Sequence, residues 1–172
     1  MKLRLVRPSS RYKKSYIAAL RESLGDSASP TYLQDQITNF AEFLTWWREV
    51  AGPRRRTTAI TYWLVDGTKY YGFVQIRLQP GGRSPRIKSN IYYELRPSCR
   101  GHGLGSVLFK QAIRKAYSLG LKRVLVSCDE GNVASLRVIK DAKGKLVKTV
   151  RLRNEKTTMR LYEFKTAAGP AA

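Results

Sequence analysis

The sequence predicts an α/β fold: a mixed β-sheet of six or seven strands, with a parallel pair at its centre and four flanking helices. Three observations predict it. The apolar periodicity switches between 2 and 3.6 residues along the chain, in the order β-α-α-β-β-β-α-β-α-β-β. Strand, helix and strand between residues 90 and 128 form a βαβ unit, whose crossover joins parallel strands with a right-handed twist. The run RVLVSC, Arg123–Cys128, is short and apolar, the pattern of a strand buried on both faces.

Taken in order, Leu3 and Leu5 alternate with polar neighbours, so residues 2–7 read as a strand, which Pro8 and an N-capping Ser9 or Ser10 end. Tyr12, Tyr16, Ile17, Leu20 and Leu24 recur at helical spacing, with Gly25 as the stop; Asp26 to Pro30 is a loop. A second helix spans about Leu33 to Val50, with Phe40, Phe43, Leu44 and Trp47 on one face and Gly52-Pro53 beyond its end. Thr58 to Val65 and Lys69 to Leu78 are β-branched and aromatic segments around Asp66-Gly67, which predicts a hairpin. Pro80 to Pro85 reads as a loop and Asn90 to Leu95 as a strand. A long amphipathic helix covers Gly103 to Leu119, with Leu104, Val107, Leu108, Ala112 and Ala116 on its apolar stripe. A short helix over Asn132 to Ala142 precedes a closing hairpin, residues 145–153 and 157–164, turning at Asn154-Glu155-Lys156.

The 172 residues suit one domain, assigned to 1–165, with 166–172 as a mobile tail. No apolar run reaches the roughly 20 residues of a membrane span. The first residues, Met1 to Pro8, are basic but lack the apolar stretch of a secretory signal. Cys99 and Cys128 form no metal-binding spacing and read as free thiols, so a cytoplasmic location and no metal are expected. Charge is the anomaly. Thirty-three Lys and Arg face 12 Asp and Glu, a net charge of +21. A chain so charged attracts polyanions, so RNA, the ribosome or another acidic surface is an expected partner.

The stretch most informative about chemistry runs from Glu94 to Ser106. A strand end and a polar loop carry glycines at 101, 103 and 105, and then a long helix begins. Glycines at a helix start let unpaired N–H groups approach an anion, and the helix dipole favours negative charge there. A phosphate or pyrophosphate is the natural ligand, with Arg96 and Arg100 as countercharge. The dinucleotide pattern G-x-G-x-x-G fails, since Ser106 and Leu108 stand at its last position. The P-loop pattern fails too, for want of Gly-Lys-Ser/Thr.

Arg100-Gly101-His102-Gly103-Leu104-Gly105 resembles the pyrophosphate-binding pattern [Q/R]-x-x-G-x-[G/A] of the GCN5-related N-acetyltransferase (GNAT) superfamily. Val124 to Ser135 resembles that superfamily's fifth strand, followed by an Asn and small residues opening the next helix. Thr61 to Asp66 and Gly72 to Arg77 also resemble its predicted acetyltransferase branch. The resemblance covers residues 2–164. It implies a GNAT-like sheet, acetyl-CoA as co-substrate, and direct transfer to a primary amine. It also implies that Leu95 and its neighbours pair with the pantetheine arm. The residues Arg96, Arg100, Gly101, His102, Gly103, Leu104, Gly105 and Ser106 would surround the pyrophosphate, with Asn132 at the pantetheine or phosphate and Ser135 near the thioester.

The chain departs from the commoner pattern at Ile139, where many members carry the tyrosine that protonates the leaving thiolate. Tyr162 and Cys128 are the candidate substitutes. Glu94, the only acid between Asp66 and Asp129, is the candidate base, or else an ion-pair partner of a nearby cation. His102 is the only histidine and reads as loop surface. The function expected is an N-acetyltransferase, as monomer or homodimer, moving the acetyl group of acetyl-CoA to a primary amine; the acceptor stays open between a small amine, a protein N-terminus, a lysine and an aminoacyl-tRNA, with one presented on RNA or the ribosome among the candidates. The alternative is a basic nucleic-acid- or ribosome-binding module on the same fold, in which Arg54-Arg55-Arg56 would touch the polyanion.

Overall fold

The computed structural model describes residues 2–24, 38–49, 59–84, 87–152 and 157–165. In chain order these form β1 (Arg4–Val6), α1 (Lys13–Leu24), α2 (Phe40–Glu49), β2 (Ala59–Asp66), β3 (Lys69–Ser84), β4 (Ile87–Leu95), α3 (Leu104–Ser118), β5 (Arg123–Asp129), α4 (Val133–Asp141), β6 (Lys145–Leu152) and β7 (Thr157–Lys165). Short 3-10 turns at Ser10–Tyr12 and Pro97–Cys99 lead into α1 and away from β4. The expected features at Gly25, Asp26–Pro30, Gly52-Pro53, Arg54-Arg55-Arg56, the 154–156 turn and the 166–172 tail lie outside the described residues.

The strands make two antiparallel sheets, β1-β2-β3-β4 and β5-β7-β6. This corrects the expectation of one mixed sheet with a parallel pair at its centre: no parallel ladder occurs among the described residues. β4 and β5 are instead joined by side chains. Asn90 Oδ1 accepts the Leu125 N–H at 2.8 Å, and Ser89 Oγ accepts the Ser127 N–H at 3.3 Å. A polar pair inside an apolar strand thus replaces the ladder that would close the sheet. Asn90 Nδ2 donates to Arg77 O at 2.8 Å, so the buried amide is satisfied from both sides.

β3 runs further than predicted, through Pro80 and the following glycines to Ser84, and β4 begins at Ile87. The ladder absorbs these residues by shifting register between Ile76 and Gly81 and again before Ser84. β5 is also less buried than RVLVSC suggests: Val124, Val126 and Cys128 are buried, while Leu125 and Ser127 are half-buried beside the split.

The first sheet is covered on both faces. Trp63 and Val65 point to α1 and α2, where Tyr16 stacks on Trp63 with ring centres 4.9 Å apart. Tyr62 and Leu64 point to the larger core, shared with Leu108, Phe109 and Ala112 of α3 and Ile139 of α4. Burial of this apolar area on both faces is what stabilises the β2–β3 hairpin as the centre of the fold. Gly72 serves the same packing. A Cβ there would lie 2.3 Å from Glu94 O, so only glycine lets β3 approach the end of β4. Among the described residues no helix is long and apolar enough to cross a membrane.

Candidate active site

The split between the sheets opens a cleft of about 790 Å³. Tyr92 and Tyr93 of β4 line one wall, Ser127 and Cys128 of β5 the other, and Asn132 and Ser135 come from the start of α4. The same side-chain bridges that hold β4 to β5 therefore set the width of the cleft.

At one end of β4 the chain turns through Pro97–Cys99 into α3. Gly101 and Gly103 adopt left-handed φ values of 80° and 74°, and a Cβ on either would meet open space. Gly103 is the N-cap of α3. The first helical bond is donated by Ser106 to Gly103 O at 3.1 Å, so the N–H groups before it have no helical acceptor. Arg100, Gly101, His102 and Gly103 are exposed. This is the geometry of an anion cradle: free N–H groups, the positive end of a helix dipole, and no side chain in the way at the two glycines. Leu104 is buried and anchors the helix start. Gly105 is half-buried, and a Cβ there would sit 3.7 Å from Leu95 Cδ1 and 3.5 Å from Val138 Cγ2. Leu95 thus packs beside the first turn of α3.

The two arginines expected as countercharge behave differently. Arg96 turns away from the cradle and binds Glu22 of α1 through Nε and Nη2, with Ser98 N–H donating to the other carboxylate oxygen at 3.2 Å. The Arg96 guanidinium pulls the Glu22 carboxyl down to about 2. Arg100 stays at the loop. Its Nε donates to Leu95 O at 3.3 Å and its Nη2 lies 3.5 Å from Glu94 Oε1, with both side chains substantially exposed. Glu94 also accepts a hydrogen bond from the Tyr92 hydroxyl at 3.3 Å. Both sequence readings of Glu94 remain compatible with this: it is paired with a cation, yet open to solvent.

Asn132 caps α4, its Oδ1 accepting the Ser135 N–H at 3.0 Å. The Ser135 hydroxyl accepts from Tyr93 Oη at 3.2 Å. Burial pushes the Tyr93 phenol above its ordinary value. Burial, with the neighbouring Asp129 charge, pushes the Cys128 thiol up to about 11, against the opposing effect of Ser135. Cys128 is therefore a protonated thiol at neutral pH, not a nucleophile. Ile139 lines the cleft as a fully buried aliphatic side chain. Tyr162 is packed into the larger core and is not among the residues lining the cleft.

The sequence reading did not single out Tyr93, Ser89, Asn90 or Glu22. Ser89 and Asn90 carried a signal, two polar residues ahead of an apolar strand. Glu22 carried none, because its partner lies 74 residues away.

Fold and site together define a class: an α/β protein with a cleft between two sheets and a glycine-rich helix start, with free N–H groups, following the strand that lines the cleft. The acetyltransferase (GNAT) family matches residues 17–143, and the chain belongs to that family. No match was found among curated proteins. Among solved structures, the microcin C7 self-immunity acetyltransferase MccE, in complex with acetyl-CoA and AMP, is 15% identical with a TM-score of 0.66, covering 95% of this chain and 92% of its own. RimL, the ribosomal L7/L12 alpha-N-protein acetyltransferase, in complex with coenzyme A, is 14% identical with a TM-score of 0.64, covering 96% and 94%. An N-acetyltransferase from Staphylococcus aureus Mu50 is 15% identical with a TM-score of 0.61, covering 96% and 99%. These likenesses show the fold.

Proposed function

We propose that the chain transfers the acetyl group of acetyl-CoA to a primary amine. The observation that carries this reading is the glycine-rich helix start at Gly101–Ser106, which follows the end of the same β4 whose Tyr92 and Tyr93 line the cleft. Backbone N–H groups there suit the pyrophosphate, and the split leaves strand edges for the pantetheine arm. Similar proteins of the same fold were crystallised with acetyl-CoA or coenzyme A.

The amine attacks the acetyl carbonyl, the C–S bond breaks, and CoA leaves. Binding both substrates in one cleft supplies orientation, and backbone N–H groups on the β4 edge suit the developing oxyanion. The attacking amine must be neutral. Glu94 is the base we propose: it is not itself among the residues lining the cleft, but it follows Tyr92 and Tyr93 of the cleft wall, its side chain is 40% exposed, and it pairs with Arg100 of the loop.

The acceptor is an amine presented on a polyanion. What supports this is charge: 33 Lys and Arg face 12 Asp and Glu, and among the described residues the exposed Lys88, Lys110 and Arg114 form no ion pair. The same observation favours the second reading, a polyanion-binding module without catalysis.

Calorimetry with acetyl-CoA tests the first reading. Micromolar binding, about 8 kcal/mol, is expected, and Gly103→Asp should abolish it by placing a charge and a Cβ in the cradle. Equal affinity in that variant overturns the assignment. Release of CoA thiol with a panel of amines, with and without RNA, separates the two readings: RNA binding without thiol release leaves only the module.

A further inference from the structure

We propose that a second cavity, at the ends of α3 and α4 remote from the cradle, holds an unpaired nucleotide of a single-stranded nucleic acid, with its base against Tyr117 and its phosphates on Lys143, Lys145 and Lys165. The inference rests on the polyanion reading given above, which it locates on the molecule, and is independent of the acetyl-CoA reading.

The cavity measures about 450 Å³, within the roughly 300–1,000 Å³ of small-ligand sites, and among the described residues it shares no lining residue with the cleft. Gly103 and Asn132 cap the starts of α3 and α4, whereas Tyr117 stands in the last turn of α3, and Ala142 and Lys143 follow the end of α4. The chain turns sharply there. Lys143 takes a left-handed φ of 61°, and the Lys143 and Gly144 N–H groups donate back to Lys140 O at 2.8 Å and Ile139 O at 3.0 Å. A Cβ on Gly144 would lie 2.7 Å from the Phe164 ring, so glycine lets this turn pass close to β7. Lys143 and Lys145, on either side of that glycine, both line the cavity and are exposed.

The floor is apolar and the rim is cationic. Ile113 and Phe164 are buried beneath it, and Tyr117 is half-buried, its hydroxyl without a hydrogen-bond partner among the described residues. The one carboxylate at the cavity, Glu163, is bound by Arg123 Nε and lies 3.4 Å from Lys165 Nζ, so it is already neutralised. Lys143 and Lys145 form no ion pair among the described residues. Beyond the rim, α3 carries no Asp or Glu. Its exposed Lys110 and Arg114 share a side of the helix with Ile113 and Tyr117 at spacings of three and four, so a strand leaving the cavity along α3 meets further cations.

A ring beside lysines that no carboxylate neutralises is the combination that holds single strands: the ring stacks on a base and the cations offset phosphates. A duplex keeps its base faces stacked and cannot use the ring. A protein partner would need an apolar patch at the centre of its footprint, and none of the exposed large hydrophobic residues lines the cavity or lies on α3.

Fluorescence anisotropy with labelled oligo(U), oligo(dU) and an RNA duplex tests this. A single strand should bind more tightly than the duplex, with affinity falling steeply as salt rises. The oligo(U) and oligo(dU) arms tell RNA from DNA as the source, and tight binding of either bears the site out. Tyr117→Leu fills the floor but removes the ring, and should weaken single-strand binding about tenfold with the salt dependence unchanged. Tyr117→Phe keeps the ring and should bind like wild type. Lys143→Gln with Lys145→Gln, both exposed and therefore tolerant of change, should lower the slope of log K against log salt by about 0.7 for each lysine. The same loss of charge on α1, Lys14→Gln with Arg21→Gln, should leave that slope unchanged. Unaltered acetyl-CoA affinity shows that each variant is folded. Single-strand binding that Tyr117→Leu and the lysine pair leave untouched, or a duplex bound as tightly as a single strand, overturns the site while the polyanion reading stands. Failure of the wild-type chain to bind any of the three probes overturns both.

Discussion

Asn90 Oδ1 accepts the backbone N–H of Leu125 at 2.8 Å across the split between the two sheets, while its Nδ2 donates to Arg77 O at 2.8 Å. One side chain, 1% exposed, thus ties β3, β4 and β5 together where a backbone ladder is missing. It joins the sheets near the floor of the cleft and leaves the remaining length of β4 and β5 free to line it.

Asn90→Leu should therefore cost more than a usual polar-to-apolar change. It strands the Leu125 N–H and the Arg77 carbonyl in the interior, each an unpaired group worth about 1–3 kcal/mol. Chemical denaturation should show a loss of about 3 kcal/mol. Acetyl-CoA affinity should fall with it, since the spacing of the walls is no longer set.

The Glu22–Arg96 pair predicts an acid-dependent stability. The Glu22 carboxyl is held near 2, below its ordinary 4.5, chiefly by its hydrogen bond to Arg96. A lowered folded-state value means the pair stabilises the fold above pH 4.5 and loses that contribution as pH falls from 4.5 towards 2. Because Glu22 is partly exposed, the contribution is about 1 kcal/mol. Denaturation of Glu22→Gln against wild type should show that gap at pH 7, closing as pH approaches 2.

Gly72→Ala should loosen the entrance to the cradle. Its Cβ would sit 2.3 Å from Glu94 O and 3.0 Å from Leu95 Cα, both backbone atoms that cannot rotate away. The expected cost is about 2–3 kcal/mol, the range of overpacked sites. Thermal melts check the stability, and calorimetry should show weaker acetyl-CoA binding because the end of β4 and the Arg96 N–H to Tyr71 O bond at 2.9 Å shift together.

Glu94→Gln should separate chemistry from binding. If Glu94 takes the amine proton, kcat should fall about 100-fold or more, with the acetyl-CoA dissociation constant little changed. A loss confined to stability, with kcat intact across pH 6 to 9, would leave Glu94 as the ion-pair partner of Arg100 alone.

Much of this was legible in the residues themselves. Periodicity located α1, α3, α4 and the β2–β3 hairpin, because amphipathic spacing records which face is buried. The glycines at 101 and 103 marked the turn into α3, because left-handed backbone at a helix start selects for them. Ile139 showed that the tyrosine of the resembled pattern is missing.

What only the tertiary structure decided is who partners whom across the chain. Arg96 and Arg100 look alike in sequence, yet one is committed to Glu22 and the other remains at the loop. The parallel pair inferred from the βαβ pattern is replaced by side-chain bridges from Ser89 and Asn90, and the hydroxyl pair Tyr93–Ser135 joins residues 42 positions apart. The physical reason is range. Periodicity, capping and glycine conformations are local properties, written within a turn or two of chain. Hydrogen bonds between distant side chains depend on the register and separation of elements, which are set only when both cores pack.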